Sequence, residues 1–164
     1  MSGASSWSFR EDDARRIQAI LGGFLGESNA RTAMIVDRTG QMVATVGEAP
    51  VFDPTAFASL TAADFSANDQ LARMLGEPEF GALFHQGERE SMYLADVARR
   101  VILVVLFDNR TTLGLVKLRV KGAVGELNRV FTAMFDGAAG RQGPEVESGF
   151  VGDAEDEIDK LFGA

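Results

Sequence analysis

Residues 101–107, "VILVVLF", place seven apolar side chains in a row. Successive side chains of a strand point to opposite faces, so such a run is stable only where both faces of its sheet are covered. The run therefore predicts a central strand, with a layer of helix on each side of the sheet. At 164 residues the chain has room for one such core plus a tail.

The remaining elements follow from periodicity and punctuation. "SFREDDARRIQAILGGFLG" carries Ala14, Ile17, Leu21, Phe24 and Leu25 at helical spacing. Ser8 with Glu11 three positions later reads as a capping box, and the acids of the first turn suit the positive end of the helix dipole. "TAMIVDRTGQMVATVG" reads as two strands joined at Asp37 to Gly40. Asp53 and Pro54 open a second helix that stops at Gly76 and Pro78. Three strands follow: "GALFHQ", "SMYLADVA" after a turn from Gly87 to Glu90, and "VILVVLFD". A last helix, from about Thr112 to Phe135, repeats Leu113, Val116, Val120, Ala123, Leu127, Val130 and Met134 at spacings of three and four. The order is helix, two strands, helix, three strands, helix, tail.

The second helix has two apolar sides. Phe57, Leu60, Ala67, Leu71 and Met74 share one, which is expected to lie on the sheet. Ala58, Ala62, Phe65, Asp69 and Ala72 line the opposite side, so an aromatic ring is expected among alanines on the outside, where a protein partner would cover it.

Charge is unevenly placed. Of the net charge of -8, residues 142–164 contribute -6. Acidity concentrated in a tail argues against nucleic acid as the main partner, because phosphate contacts need a basic footprint. Gly, Pro and acids make the start of the tail a flexible linker, while Val151, Ala154, Ile158, Leu161 and Phe162 form an apolar strip if residues 151–162 become helical on a partner. With no cysteine, thiolate catalysis and disulfides are excluded, which suits the cytoplasm. No basic start leading into a long apolar stretch is present, and no window of about 18 apolar residues.

A search for chemistry finds little. There is no phosphate-binding glycine loop of either common pattern, so the chain is not expected to be a GTPase itself. A lone histidine, His85, without cysteines does not assemble a metal site, and no nucleophile elbow surrounds Ser91. No catalytic, metal or cofactor-binding residue is expected. "DNRTT", residues 108–112, supplies a turn and a helix N-cap at Thr111 or Thr112, and Arg110 has three readings. It ion-pairs at the surface, steers an acidic partner, or points at a transferring phosphoryl group as an arginine finger. Lys117, Arg119 and Lys121 make that end of the last helix locally basic.

Three blocks, "SLTAADFSANDQLARMLGE", "FHQGERESMYLADVARRVILVVLFDNRTTLGLVKLRVK" and the closing "DEIDKLF", resemble the bacterial Roadblock (dynein light chain seven) family, and within it the MglB branch. The resemblance implies an α/β (α+β) sandwich of profilin-like Roadblock fold. Its five-stranded antiparallel sheet would carry helix two on one face and helices one and three on the other. A Roadblock domain over residues 8–136 would precede a flexible acidic linker and short amphipathic tail at 137–164.

The resemblance also implies a homodimer in which the sheets join and the two second helices lie side by side. Such a dimer binds a MglA-like Ras-family GTPase in its GTP form and acts as a GTPase-activating protein without an arginine finger, in cell polarity or motility. The tail contacts the GTPase and can influence nucleotide exchange. Ala58, Ala62, Phe65, Ser66, Asp69 and Ala72 are then expected at the dimer or GTPase contact, and Ile158, Leu161 and Phe162 in tail docking. The implied place is the cytoplasm, with a polar position fitting a polarity role. The residues alone leave open an inert scaffold of the same fold.

Overall fold

The structure, a computed structural model, describes residues 10–141. Its elements run α1 (Glu11–Ser28), β1 (Thr32–Asp37), β2 (Met42–Gly47), α2 (Pro54–Met74), β3 (Ala82–Gln86), β4 (Ser91–Val97), β5 (Val101–Phe107) and α3 (Leu113–Arg141). The five strands form one sheet in the order β2-β1-β5-β4-β3. Every pairing is antiparallel. The apolar run does become the central strand: β5 pairs β1 from Thr32↔Leu106 to Asp37↔Val101, and β4 from Ser91↔Phe107 to Val97↔Val101.

Alternation along the strands divides the core in two. Met34, Val36, Leu94, Ile102 and Val104 share one face with Ala58 and Phe65 of α2. On the other face Ala33, Ile35, Leu103 and Val105 are fully buried, as are Ile17, Leu21 and Phe24 of α1 and Val116, Val120 and Leu127 of α3 to within a few per cent. The fold is thus a profilin-like sandwich. Residues up to Phe131 form one compact unit, and α3 from Thr132 onward falls to a second.

Local chemistry sets the boundaries. Asp37 is the keystone of the β1–β2 turn: its Oδ1 accepts from the Thr39 amide at 2.9 Å, the Thr39 hydroxyl at 2.6 Å and the Gln41 amide at 3.0 Å. At the β3–β4 turn a Cβ on Gly87 would lie 2.3 Å from the Glu90 carbonyl oxygen, so only glycine fits. Thr112 rather than Thr111 caps α3, accepting from the Leu115 amide at 3.2 Å.

Two helix limits differ from expectation. α1 begins at Glu11 with Arg10 as a cap residue that makes no side-chain cap bond, so Glu11 is the first residue of the helix and not the third. The capping box at Ser8 is therefore corrected, Ser8 itself lying outside the described residues; the three acids of the first turn complement the helix dipole in its place. α3 continues past Phe135 to Arg141, beyond the end of the apolar repeat.

Among the described residues no helix is long and apolar enough to cross a membrane.

Candidate interaction face

The second helix starts where an acid and a proline meet. Asp53 accepts from the Thr55 amide at 3.1 Å, and Pro54 takes the first helical position, where a missing amide costs nothing. The helix ends as Gly76 turns into the left-handed region at φ +82.

The orientation of this helix reverses the expected one. Ala58, Phe65 and Ala72 are 0–1% exposed and Ala62 9%, so the side expected outward lies on the sheet. Leu60, Leu71 and Met74, expected underneath, are 71%, 56% and 82% exposed, and Leu75 beyond them 74%. Phe57 alone of that set is drawn in, half-buried against the core and stacked on Phe52 at 4.4 Å between ring centroids.

The physical reason is volume. The sheet already fills its α2 face with Met34, Val36, Leu94, Ile102 and Val104, flanked by Met42, Leu83, Met92 and Leu106. A helix settling on such a face approaches closely only with small residues, and alanines with one inserted ring satisfy this better than a row of leucines. Buried Thr61 and Asn68 on the same side were the missed signal. They belong to a face of small side chains and not to an outward one.

Of the residues expected to meet a partner, Ala58, Ala62, Phe65 and Ala72 are therefore core side chains. Ser66 is exposed, and Asp69 is half-buried in an ion pair with Arg38. Ile158, Leu161 and Phe162 lie outside the described residues. The exposed apolar face of α2 consists of Leu60, Leu71 and Met74, with Ala56, Ala63 and Ala67 filling the spaces between them at helical spacing. Together they make a continuous apolar strip along the exposed side of a capped helix. Next to it runs β3, an edge strand of the sheet. His85 on β3 and Asp64 on α2 meet at 2.6 Å, tying the strand to the helix. This gives the histidine a structural duty.

Arg110 is held at the surface. Its Nε donates to Asp108 at 3.0 Å and its Nη1 to Glu48 at 3.1 Å. Arg31 donates to the same Glu48 at 2.6 Å and pairs with Glu90. Of the three readings of Arg110, the geometry favours the ion pair. Hydrogen bonds from Arg31 and then Arg110 hold the Glu48 carboxyl below its ordinary 4.5, and the Arg110 side chain does the same for Asp108 below its ordinary 3.8.

Carboxyls held low in the folded state stabilise it above those ordinary values, and the contribution disappears as pH falls through the folded-state values. Arg110→Met is accordingly expected to lower the melting temperature by a few degrees at most at neutral pH. The gap should close as pH drops past the carboxylate range; a gap of constant size in thermal melts across that range would refute the network. Among the described residues no group of three His, Asp or Glu is placed to hold a metal.

The fold, the covered sheet and the exposed helix converge on one family. Residues 5–107 match the Roadblock/LC7 domain. The chain belongs to the Roadblock/LC7 family. Solved Roadblock/LC7 structures include Myxococcus xanthus MglB, 40% identical over 77% of this chain and 96% of that one, with a TM-score of 0.73. The gliding protein MglB of Thermus thermophilus is 34% identical over 76% and 95%, TM-score 0.71. An MglB in a tetrameric arrangement is 32% identical over 79% and 97%, TM-score 0.73. At the level of fold alone, Acanthamoeba castellanii profilin IB superimposes with a TM-score of 0.53 at 16% identity. No curated protein matches the chain.

Proposed function

We propose that this protein is a homodimeric regulator of a Ras-like GTPase of the MglA type. Two copies join at the β3 edge and set their α2 helices side by side. The GTPase in its GTP form docks on that helical layer, and the dimer accelerates hydrolysis by ordering the catalytic groups of the GTPase itself. The carrying observation is the exposed Leu60, Leu71 and Met74 strip on α2, in a chain that resembles MglB structures over three quarters of its length.

Two further features support the reading. An unpaired strand edge is a template for pairing with a second copy, and β3 occupies that position. Arg110, the arginine read from the sequence as a possible finger, already donates to Asp108 and Glu48, which favours a mechanism in which it is not one. The acidic tail, through Ile158, Leu161 and Phe162, would add a second contact with the GTPase and influence nucleotide exchange.

Phosphate release from a purified MglA-type GTPase loaded with GTP tests this directly. Saturating the GTPase with this protein is expected to raise the rate at least about tenfold, the scale of ordering effects on a preorganised site. Binding with an unchanged rate would leave a scaffold, and no binding would reject the partner class.

A further inference from the structure

The underside of α2 is built mostly of small side chains: Ala58, Thr61, Ala62, Asn68 and Ala72 are buried there, and Phe65 is the one large apolar residue. Small residues let the helix come close but give its rotation little to lock against, since interdigitation of large side chains is what fixes helix orientation. Yet rotation decides which residues α2 presents outward. Phe65 is a single anchor on that side, and a second one off its axis would fix the rotation.

Arg38, on the β1–β2 turn, is placed to do so. Its Nη1 donates to Asp69 of α2 at 2.7 Å, its Nη2 donates to Asp96 of β4, and its guanidinium carbon lies 4.9 Å from the centre of the Phe65 ring. One side chain thereby joins a turn, a strand and the helix. The anchor itself is stiff. Asp37 fixes the turn through three hydrogen bonds, and a Cβ on Gly40 would come within 3.1 Å of Ser59 Cα, so the turn also abuts the helix. Asp96 is held in turn by the Arg99 amide at 3.2 Å. The three charged side chains are 15–30% exposed, enough shielding for definite geometry but too much solvent for a large share of stability. On its other flank α2 is tied by Asp64 to His85 of β3.

We infer that Arg38 is a positioning residue for the docking face of α2: it fixes the rotation of the helix and so the presentation of Leu60, Leu71 and Met74. This rests on the reading of that face as the site of self-association and GTPase binding. Planarity matters here, because a guanidinium can span two carboxylates and stack on a ring at once, whereas an ammonium cannot.

The test uses the full chain and Asp69→Ala, which removes both the charge and the acceptor that Arg38 meets on α2 while Asp96 keeps Arg38 in place. In a Leu71→Asp background, which holds copies apart, amide exchange across residues 58–74 is expected to quicken about tenfold while β1 and β5 keep their protection. With Leu71 intact, self-association by sedimentation equilibrium should weaken about tenfold at a nearly unchanged melting temperature. Arg38→Lys should fall between wild type and Arg38→Met on both measures. Unchanged exchange in α2, or acceleration spread equally over the whole sheet, would overturn the inference. A loosened α2 with wild-type association would also overturn it. Leu71→Asp alone tells the two failures apart: if that variant associates like wild type, the docking face was misassigned, whatever Arg38 does.

Discussion

Phe65→Arg is expected to leave no cooperatively folded chain. Phe65 is 1% exposed and belongs to the core cluster on the α2 face of the sheet, with Ala58, Leu94, Ile102 and Val104. Removing a buried phenylalanine ring alone costs about 3–5 kcal/mol. A second guanidinium would also be forced beside that of Arg38, which lies 4.9 Å from the ring centre and already engages Asp69 and Asp96. Against a total stability of roughly 5–15 kcal/mol, that is enough to unfold the domain. Phe65→Leu should fold with a loss of about 1.5 kcal/mol, showing that the site wants volume and apolarity. The check is thermal melting by circular dichroism. An arginine variant with wild-type melting and weakened self-association would put Phe65 on the surface after all.

Leu71→Asp is expected to do the opposite. At 56% exposure Leu71 contributes little to the monomer, so its melting temperature should move by no more than the effect of about 0.5 kcal/mol usual for a surface change. In a dimer or GTPase complex the same position would place a carboxylate in an apolar contact, where an unpaired charge is strongly disfavoured. Association should weaken about a hundredfold, roughly 3 kcal/mol. Stimulated phosphate release should fall with it. Titration of self-association by sedimentation, and of the GTPase by fluorescence anisotropy, gives both numbers. Wild-type values in both would remove α2 from the interface. The pair of variants is informative because the two positions stand on one helix, one facing the sheet and one facing out, and are expected to fail in different ways.

Much of the fold was legible in the residues. Seven consecutive apolar side chains are what a strand covered on both faces requires, and β5 takes that place between β1 and β4. Asp53 and Pro54 marked the start of α2, Asp37 to Gly40 the first hairpin, and the repeat from Val116 to Val130 the buried side of α3. These signals are local: a cap or a turn needs partners within a few residues, which the sequence displays. Ser8 misled because a capping box is only a pattern until the helix start is known, and α1 starts at Glu11.

The candidate site was half legible. A helix with two apolar sides was visible in the sequence, and so was the need for something to cover both. Which side met the sheet was not visible, because hydrophobicity ranks Leu60, Leu71 and Met74 above Ala58, Ala62 and Ala72 for burial, whereas the folded helix turns the alanines and Phe65 to the sheet. Nor could spacing show that Arg38, Asp69 and Asp96 meet, since they stand on three separate elements.

The sequence by itself determined the order of elements, the central strand, the helix start marked by Asp53, and the resemblance to the Roadblock family. Only the tertiary structure decided which face of α2 is free and what holds it there. Periodicity says that two sides of a helix differ; close packing against a particular set of side chains decides which of them goes in.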